Sequence, residues 1–229
     1  MTDLSRRHLI QGAVAAGAAL AGSTVAVASP KQKWDEVVDV VVIGSGFAGL
    51  AAAIEAKKAG ANVVVLEKMA TFGGNSIING GILTATGCPQ QKLHKIEDSV
   101  ELLEKDILTA GNYMNYSSKV RYLAEHALSN YEWTVKELGV QYLPDAIGQE
   151  GGHSVPRYVT TTNGSGSGIV TKELDKCKEL GIPLRNRVFV EHIIRGDNGV
   201  EGVQVREGYR FPKADSGKVK TIRAASPPT

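Results

Sequence analysis

Gly44, Gly46 and Gly49 stand at G-x-G-x-x-G spacing within VVVIGSGFAGL, Val40 to Leu50, a pattern suited to holding a pyrophosphate. The first glycine permits a tight turn, the second lets a phosphate approach the backbone, and the third lets the next helix pack closely on the preceding strand. Some ~20 residues further on comes Glu67, a carboxylate placed to accept hydrogen bonds from a ribose diol. Its negative charge argues against a 2′-phosphate and therefore against NADP. NAD and FAD share this unit, so the glycines and the acid alone leave the two open.

The segment EKMATFGGNSIINGGI, Glu67 to Ile82, narrows the choice. Gly73-Gly74 and Gly80-Gly81 enclose Asn75, Ser76 and Asn79, a composition built for close backbone approach to an extended ligand. A NAD-binding unit would instead proceed to another crossover helix. A second glycine-rich stretch, Gly151 to Leu174, carries His153, Arg157 and several hydroxyls, as a loop able to approach a ligand does. A solvated surface loop whose histidine and arginine do nothing chemical is the competing reading. Cys88 and Cys177 lie far apart and outside any C-x-x-C or C-x-x-C-H context, so there is no sequence case for a zinc site, a redox dithiol or attached haem. His94 and His126 sit in polar or helical contexts and read as structural or exposed.

These groups must be positioned by strands and helices. Val37 to Ile43, apolar except for Asp39, predicts one buried parallel strand. Leu50 to Ala59 predicts a helix ended by Gly60, with Ala51, Ala52 and Ala53 small where it meets the sheet, and Asn62 to Leu66 a second strand. A helix from Asp98 or Ser99 to near Gly111 presents Val100, Leu103 and Ile107 on one face. Another, Ser117 to Leu138, presents Leu123, Ala127, Tyr131 and Leu138, with Gly139 as its cap. Ile169 to Leu180 is helical. Arg187 to Ile194, Val200 to Val205 and Lys218 to Ala224 are strands, the first two joined by the turn GDNG, Gly196 to Gly199. The fold class is α/β: a Rossmann-like dinucleotide-binding domain with a parallel sheet and a three-stranded β-meander.

The whole has 229 residues, 42% of them hydrophobic, enough for one substantial core. A net charge of +2 with scattered Lys and Arg gives no nucleic-acid or membrane footprint, which leaves small molecules and proteins as partners. Residues 1–28 read as a signal peptide. Arg6 and Arg7 precede an Ala/Gly-rich run, Gly12 to Val25, and Ala26 to Ala28 supply a cleavage site, so the mature chain begins near Ser29. The paired arginines resemble a twin-arginine signal, with an ordinary secretory signal as the alternative. The run is too short and too rich in glycine and alanine for a stable membrane anchor. Residues 29–225 are the domain. Residues 226–229, SPPT, cannot continue a buried strand and read as a tail foreign to the fold.

Glu67-Lys68, Gly73-Gly74-Asn75-Ser76 and Gly80-Gly81 together resemble the flavoprotein subunits of the fumarate reductase and succinate dehydrogenase family, most of all its soluble periplasmic flavocytochrome c and urocanate-reductase-like members. The resemblance spans about Val37 to Ala225. It implies FAD, with Gly44, Gly46 and Gly49 at the pyrophosphate and Glu67 on the adenosine ribose. Lys68, Gly74, Asn75 and Ser76 would follow the pyrophosphate and ribityl chain, and Gly80 and Gly81 the isoalloxazine. Membrane-bound members bond the flavin covalently through a histidine where this chain has Gly74, so the flavin is expected to be non-covalent. Related flavoproteins place a His/Arg/Gly loop beside the flavin, which makes His153 and Arg157 candidates to line the flavin or the substrate carboxylate.

By resemblance the activity is reduction of an activated C=C bond of a small carboxylate, with a separate c-type cytochrome as a candidate electron donor and the periplasm as the location. Relatives continue past the equivalent of Ala225 into a segment closing the flavin site and a capping domain that holds the acid arginine. The chain is expected to lack both, so its catalytic acid is not among these residues. Two other readings remain: a truncated, inert FAD-binding fragment, and an NAD-linked dehydrogenase.

Overall fold

The computed structural model describes residues 33–197 and 199–225; the signal peptide and the tail expected from sequence lie outside them. Valine-rich runs form the centre. β1 (Glu36–Val38) and β2 (Val40–Ile43) are followed by α1 (Phe47–Lys58) and β3 (Val63–Leu66). β3 lies between β2 and a short later strand, β6 (Leu184–Arg185), in a three-stranded parallel sheet. All four β3 residues are buried because both faces are covered. Val63 and Val65 pack with Leu50, Ala53 and Ile54 of α1, and Val64 and Leu66 pack against Val188, Val203, Val205 and Ile222 on the other face.

The expected strand Val37 to Ile43 is two strands. β1 pairs with β9 (Lys218–Ala224) in a second sheet, whereas β2 pairs with β3. Asp39 makes the switch: its amide donates to Asn62 O at 2.9 Å, and its carboxylate accepts from Asn62 N at 2.7 Å. α1 begins at Phe47, ahead of the expected Leu50, because extended Gly46 serves as its N-cap. Its buried residues are Leu50, Ala53 and Ile54, so Ala52 faces outward rather than onto the sheet.

A 3₁₀ turn, Gly74–Ile77, leads to β4 (Ile82–Thr84) and a short helix, α2 (Pro89–Leu93). β4 pairs antiparallel with β5 (Tyr158–Thr160), a ribbon that sequence reading did not anticipate. Between them run α3 (Val100–Ala110), capped by Ser99 Oγ accepting from Leu102 N at 3.1 Å, and α4 (Ser117–Lys136). Leu103 packs with Ala124 and Ala127. The buried stripe of α4 is Val120, Ala124, Ala127, Tyr131 and Thr134, which leaves Leu123 off it and 52% exposed. α5 (Ser167–Glu179) packs on α1 and on the 3₁₀ turn. The antiparallel meander of β7 (Val188–Gly196), β8 (Gly199–Glu207) and β9 then covers the sheet as sequence predicts.

Candidate functional site

The glycine turn closes where β2 and β3 end. Gly44 takes φ +95° and its amide donates to Leu66 O at 2.8 Å. A Cβ on Gly49 would fall 2.1 Å from Gly44 O and 3.3 Å from Val42 Cγ1, so helix-on-strand packing requires this glycine. A Cβ on Gly46 would approach Ser76 Oγ to 2.9 Å. That hydroxyl accepts from Phe47 N at 3.2 Å, which seats the 3₁₀ turn against the N-terminus of α1. The first-turn amides and the helix dipole make this end electropositive, as an anionic phosphate needs.

Glu67 is buried at the end of β3. Its Oε2 accepts from Ser45 N at 3.1 Å and Ser45 Oγ at 2.7 Å, and its Oε1 from Met69 N at 2.8 Å. An ionised carboxylate offers about four acceptor positions. Three are engaged, which leaves one on Oε1 without a donor among the described residues. Ser45 Oγ also accepts from Gly73 N at 2.9 Å, so one serine ties the acid to the Gly73-Gly74 turn. Sequence reading passed over Ser45; the available signal was a hydroxyl inside the glycine fingerprint.

Glycines 73 and 74 both take positive φ, +104° and +49°. A Cβ on Gly73 would strike Ile77 Cβ at 2.7 Å, whereas at Gly44, Gly74 and Gly80 it would meet nothing within 4 Å. Those three glycines border open space, and Asn75 is exposed beside them. Gly81 differs. It is buried at φ +63°, and a Cβ there would lie 2.3 Å from Thr161 Oγ1. Gly81 also packs against the second glycine-rich loop: Thr161 N donates to Gly81 O at 2.9 Å, Gly166 N to Asn79 O at 2.8 Å and Ser165 Oγ to Ile77 O at 3.2 Å. Lys68 is exposed and lines a 460 Å³ cavity with Arg187, Tyr209, Arg210 and Phe211, none of them from the glycine turn.

Arg157 is not free to meet a substrate carboxylate. It is fully buried, and its guanidinium donates Nε and Nη2 to Asp98 at 3.0 and 2.8 Å and Nη1 to Asp106 at 2.5 Å. Ser154 donates its amide and hydroxyl to Asp106. Burial pushes the Asp106 carboxyl up, but Ser154 and Arg157 outweigh it and hold the group below its ordinary range. His153 has a buried Nδ1 without a hydrogen-bond partner, and burial, then the Arg157 charge, lowers its pKa. Both residues precede β5, and Ala85 N donates to Arg157 O, at the end of the ribbon away from Gly81 and Thr161. Cys88 and Cys177 are buried free thiols, and burial raises Cys177 to about 11, so neither is a ready nucleophile. Among the described residues no cluster of His, Cys, Asp and Glu could hold a metal ion.

An extended dinucleotide is compatible with this arrangement, since Gly44, Gly74 and Gly80 carry no side chain and leave open space where a Cβ would stand. The family model described as an FAD binding domain matches residues 39–226. The acrylate reductase flavoprotein subunit of Shewanella woodyi is 45% identical over 226 residues, covering 96% of this chain and 44% of that one. The fumarate reductase (cytochrome) of Shewanella frigidimarina is 36% identical over 187 residues, 79% of this chain and 32% of that one. The open conformation of a flavocytochrome c3 fumarate reductase superposes with a TM-score of 0.75 at 33% identity, covering 83% of this chain and 32% of that one. The chain thus spans less than half the length of these relatives. With a Rossmann turn, a buried strand-end acid and a matching family model over residues 39–226, the chain belongs to the FAD-binding domain family of the fumarate reductase-type flavoproteins, and its cofactor is FAD.

Proposed function

We propose that the chain is the FAD-binding part of an exported oxidoreductase that reduces an activated C=C bond of a small carboxylate such as fumarate, acrylate or urocanate. The observation that carries the reading is the Glu67–Ser45–Gly73 cradle beside the α1 N-terminus, within a domain similar to an acrylate reductase flavoprotein subunit and a fumarate reductase. FAD, held here, would supply the hydride-transfer chemistry that such a reduction needs. The chain's residues bind and orient it: Gly44, Gly46 and the first turn of α1 hold the pyrophosphate, and Gly49 lets that helix sit close. Glu67 accepts one ribose hydroxyl, and Gly74, Asn75, Ser76 and Gly80 border the ribityl chain and ring. Gly74 offers no side chain for a covalent link, so the flavin is held non-covalently. Arg157 does not supply the proton, because its guanidinium is fully buried between Asp98 and Asp106 at the far end of the β4–β5 ribbon. A separate c-type cytochrome as electron donor and twin-arginine export to the periplasm complete the proposal. Among the described residues no helix is long and apolar enough to cross a membrane.

The test is a visible spectrum of purified Ser29–Thr229 before and after acid precipitation, and a reduced-dye assay with fumarate, acrylate and urocanate on the whole oxidoreductase that carries this part. Flavin released from the part, and dye oxidation by the whole enzyme on substrate addition, are expected. Colourless protein that takes up no added FAD refutes cofactor binding by this chain, and a yellow whole enzyme inert with every acid refutes the activity.

A further inference from the structure

Beside the glycine turn, a 330 Å³ cavity opens between α1, β4, α4 and α5, with Phe47, Ala51, Leu83, Trp133 and Ile169 among its walls and Glu173 in its lining. Glu173 is 2% exposed, and its Oε2 has no hydrogen-bond partner. A desolvated carboxylate without a cation or donors is costly, and chains rarely retain one without a use for it. The neighbouring hydrogens are committed elsewhere: Trp133 Nε1 donates to Glu55 at 2.8 Å, and the Thr134 hydroxyl bonds Tyr131 O at 2.7 Å and Tyr142 OH at 2.9 Å. The titratable groups near Glu173 are Tyr142, which burial pushes up to about 12, and Cys177, which burial pushes up to about 11, with the Glu173 charge adding a smaller upward push to each; both are neutral near pH 7. Asn130, exposed, also lines the cavity. The missing partner is therefore a cation with hydrogens to donate, carried on an apolar body, and the Phe47 and Trp133 rings favour a cation near their faces.

We propose that this cavity binds a small aromatic or alkyl ammonium compound, its ammonium group donating to Glu173 and its apolar body lying among Phe47, Leu83, Trp133 and Ile169. Phe47 and Ala48 of the glycine turn line one side of this cavity, and the readouts below follow the amine and its proton, not FAD.

Titration calorimetry of the purified chain with 2-phenylethylamine, and with 2-phenylethanol as its uncharged counterpart, tests it. Burial raises the Glu173 pKa to about 8, so at pH 7 the acid must give up its proton on meeting an ammonium. Binding of the amine is expected to release close to one proton, read from buffers of different ionisation enthalpy, and to tighten about fivefold from pH 7 to pH 8. Glu173→Gln, isosteric and uncharged, is expected to abolish the proton release and weaken the amine at least tenfold. Ala51→Met, which fills the cavity from α1 and spares the carboxyl, is expected to block binding in a chain that melts normally. The proposal is overturned if the folded wild-type chain fails to bind millimolar amine, if the alcohol binds equally well, or if Glu173→Gln binds the amine unchanged.

Discussion

Replacing Arg157 with methionine decides whether this arginine is a clamp or a ligand to substrate. The side chains of Arg157, Asp98 and Asp106 are 0%, 1% and 6% exposed, so the substitution leaves two carboxylates buried with only Gln91, Ser99 and Ser154 still donating to them. Removing one partner from such a buried group costs about 3–5 kcal/mol, a large share of the 5–15 kcal/mol typical of a domain. With a urea dependence of about 2 kcal/mol per molar, the unfolding midpoint should fall by roughly 2 M at pH 7.5. The pH dependence carries the sign. In the wild type, Asp106 is held below its ordinary range, so its stabilising contribution is in place above the unfolded carboxyl pKa and is lost as pH falls through the lower native value. In Arg157→Met the buried pair prefers to be protonated, so stability should rise from pH 7.5 towards pH 5 and narrow the gap to wild type. Urea titrations at both pH values, read by circular dichroism, measure this. A variant as stable as wild type at pH 7.5 but defective in the dye assay would refute the clamp and return Arg157 to the substrate.

Two further substitutions separate packing from nucleotide contact. Gly49→Ala puts a methyl 2.1 Å from a backbone carbonyl that cannot turn aside and should lower thermal stability by about 1–3 kcal/mol, whereas Gly46→Ala meets only the movable Ser76 hydroxyl and should melt close to wild type while losing FAD affinity. Ser45→Ala removes a hydrogen bond to a charged acid, worth about 1.5–3 kcal/mol, and should raise the FAD dissociation constant at least tenfold in a fluorescence titration; FMN, which lacks the adenosine half, should bind the variant and wild type alike.

What sequence reveals here follows the range of the interaction. The glycine turn, β3, the capped start of α3 and the meander are local, set by side chains a few residues apart, and they are found where periodicity and turn chemistry put them. The break at Asp39 depends on Asn62 and Leu123 lies off a stripe only slightly rotated from the expected one, so both needed the tertiary partner. Arg157 shows the same limit more strongly. Its carboxylates lie 59 and 51 residues away, and an arginine in a glycine-rich loop looks the same in sequence whether its fork is empty or filled.

Position in the fold gives the filled fork a consequence for the site. Arg157 leads directly into β5, and β5 into Thr161 to Gly166, whose backbone bonds Gly81 and Asn79 and leaves no room for a Cβ between Gly166 and Ser76 O. Ser76 in turn caps α1 beside the glycine turn, and Ser45 joins that turn to Glu67 and Gly73. The second glycine-rich loop is thus held at one end by a buried ion cluster and pressed at the other against the Asn79–Gly81 segment. Its glycines exist for the contact between two loops as much as for contact with a ligand. A buried arginine can therefore govern how accurately Gly80 and the 3₁₀ turn are placed, which is why the pH-dependent stability of Arg157→Met, and not loss of activity alone, is the observation that tells the two roles apart.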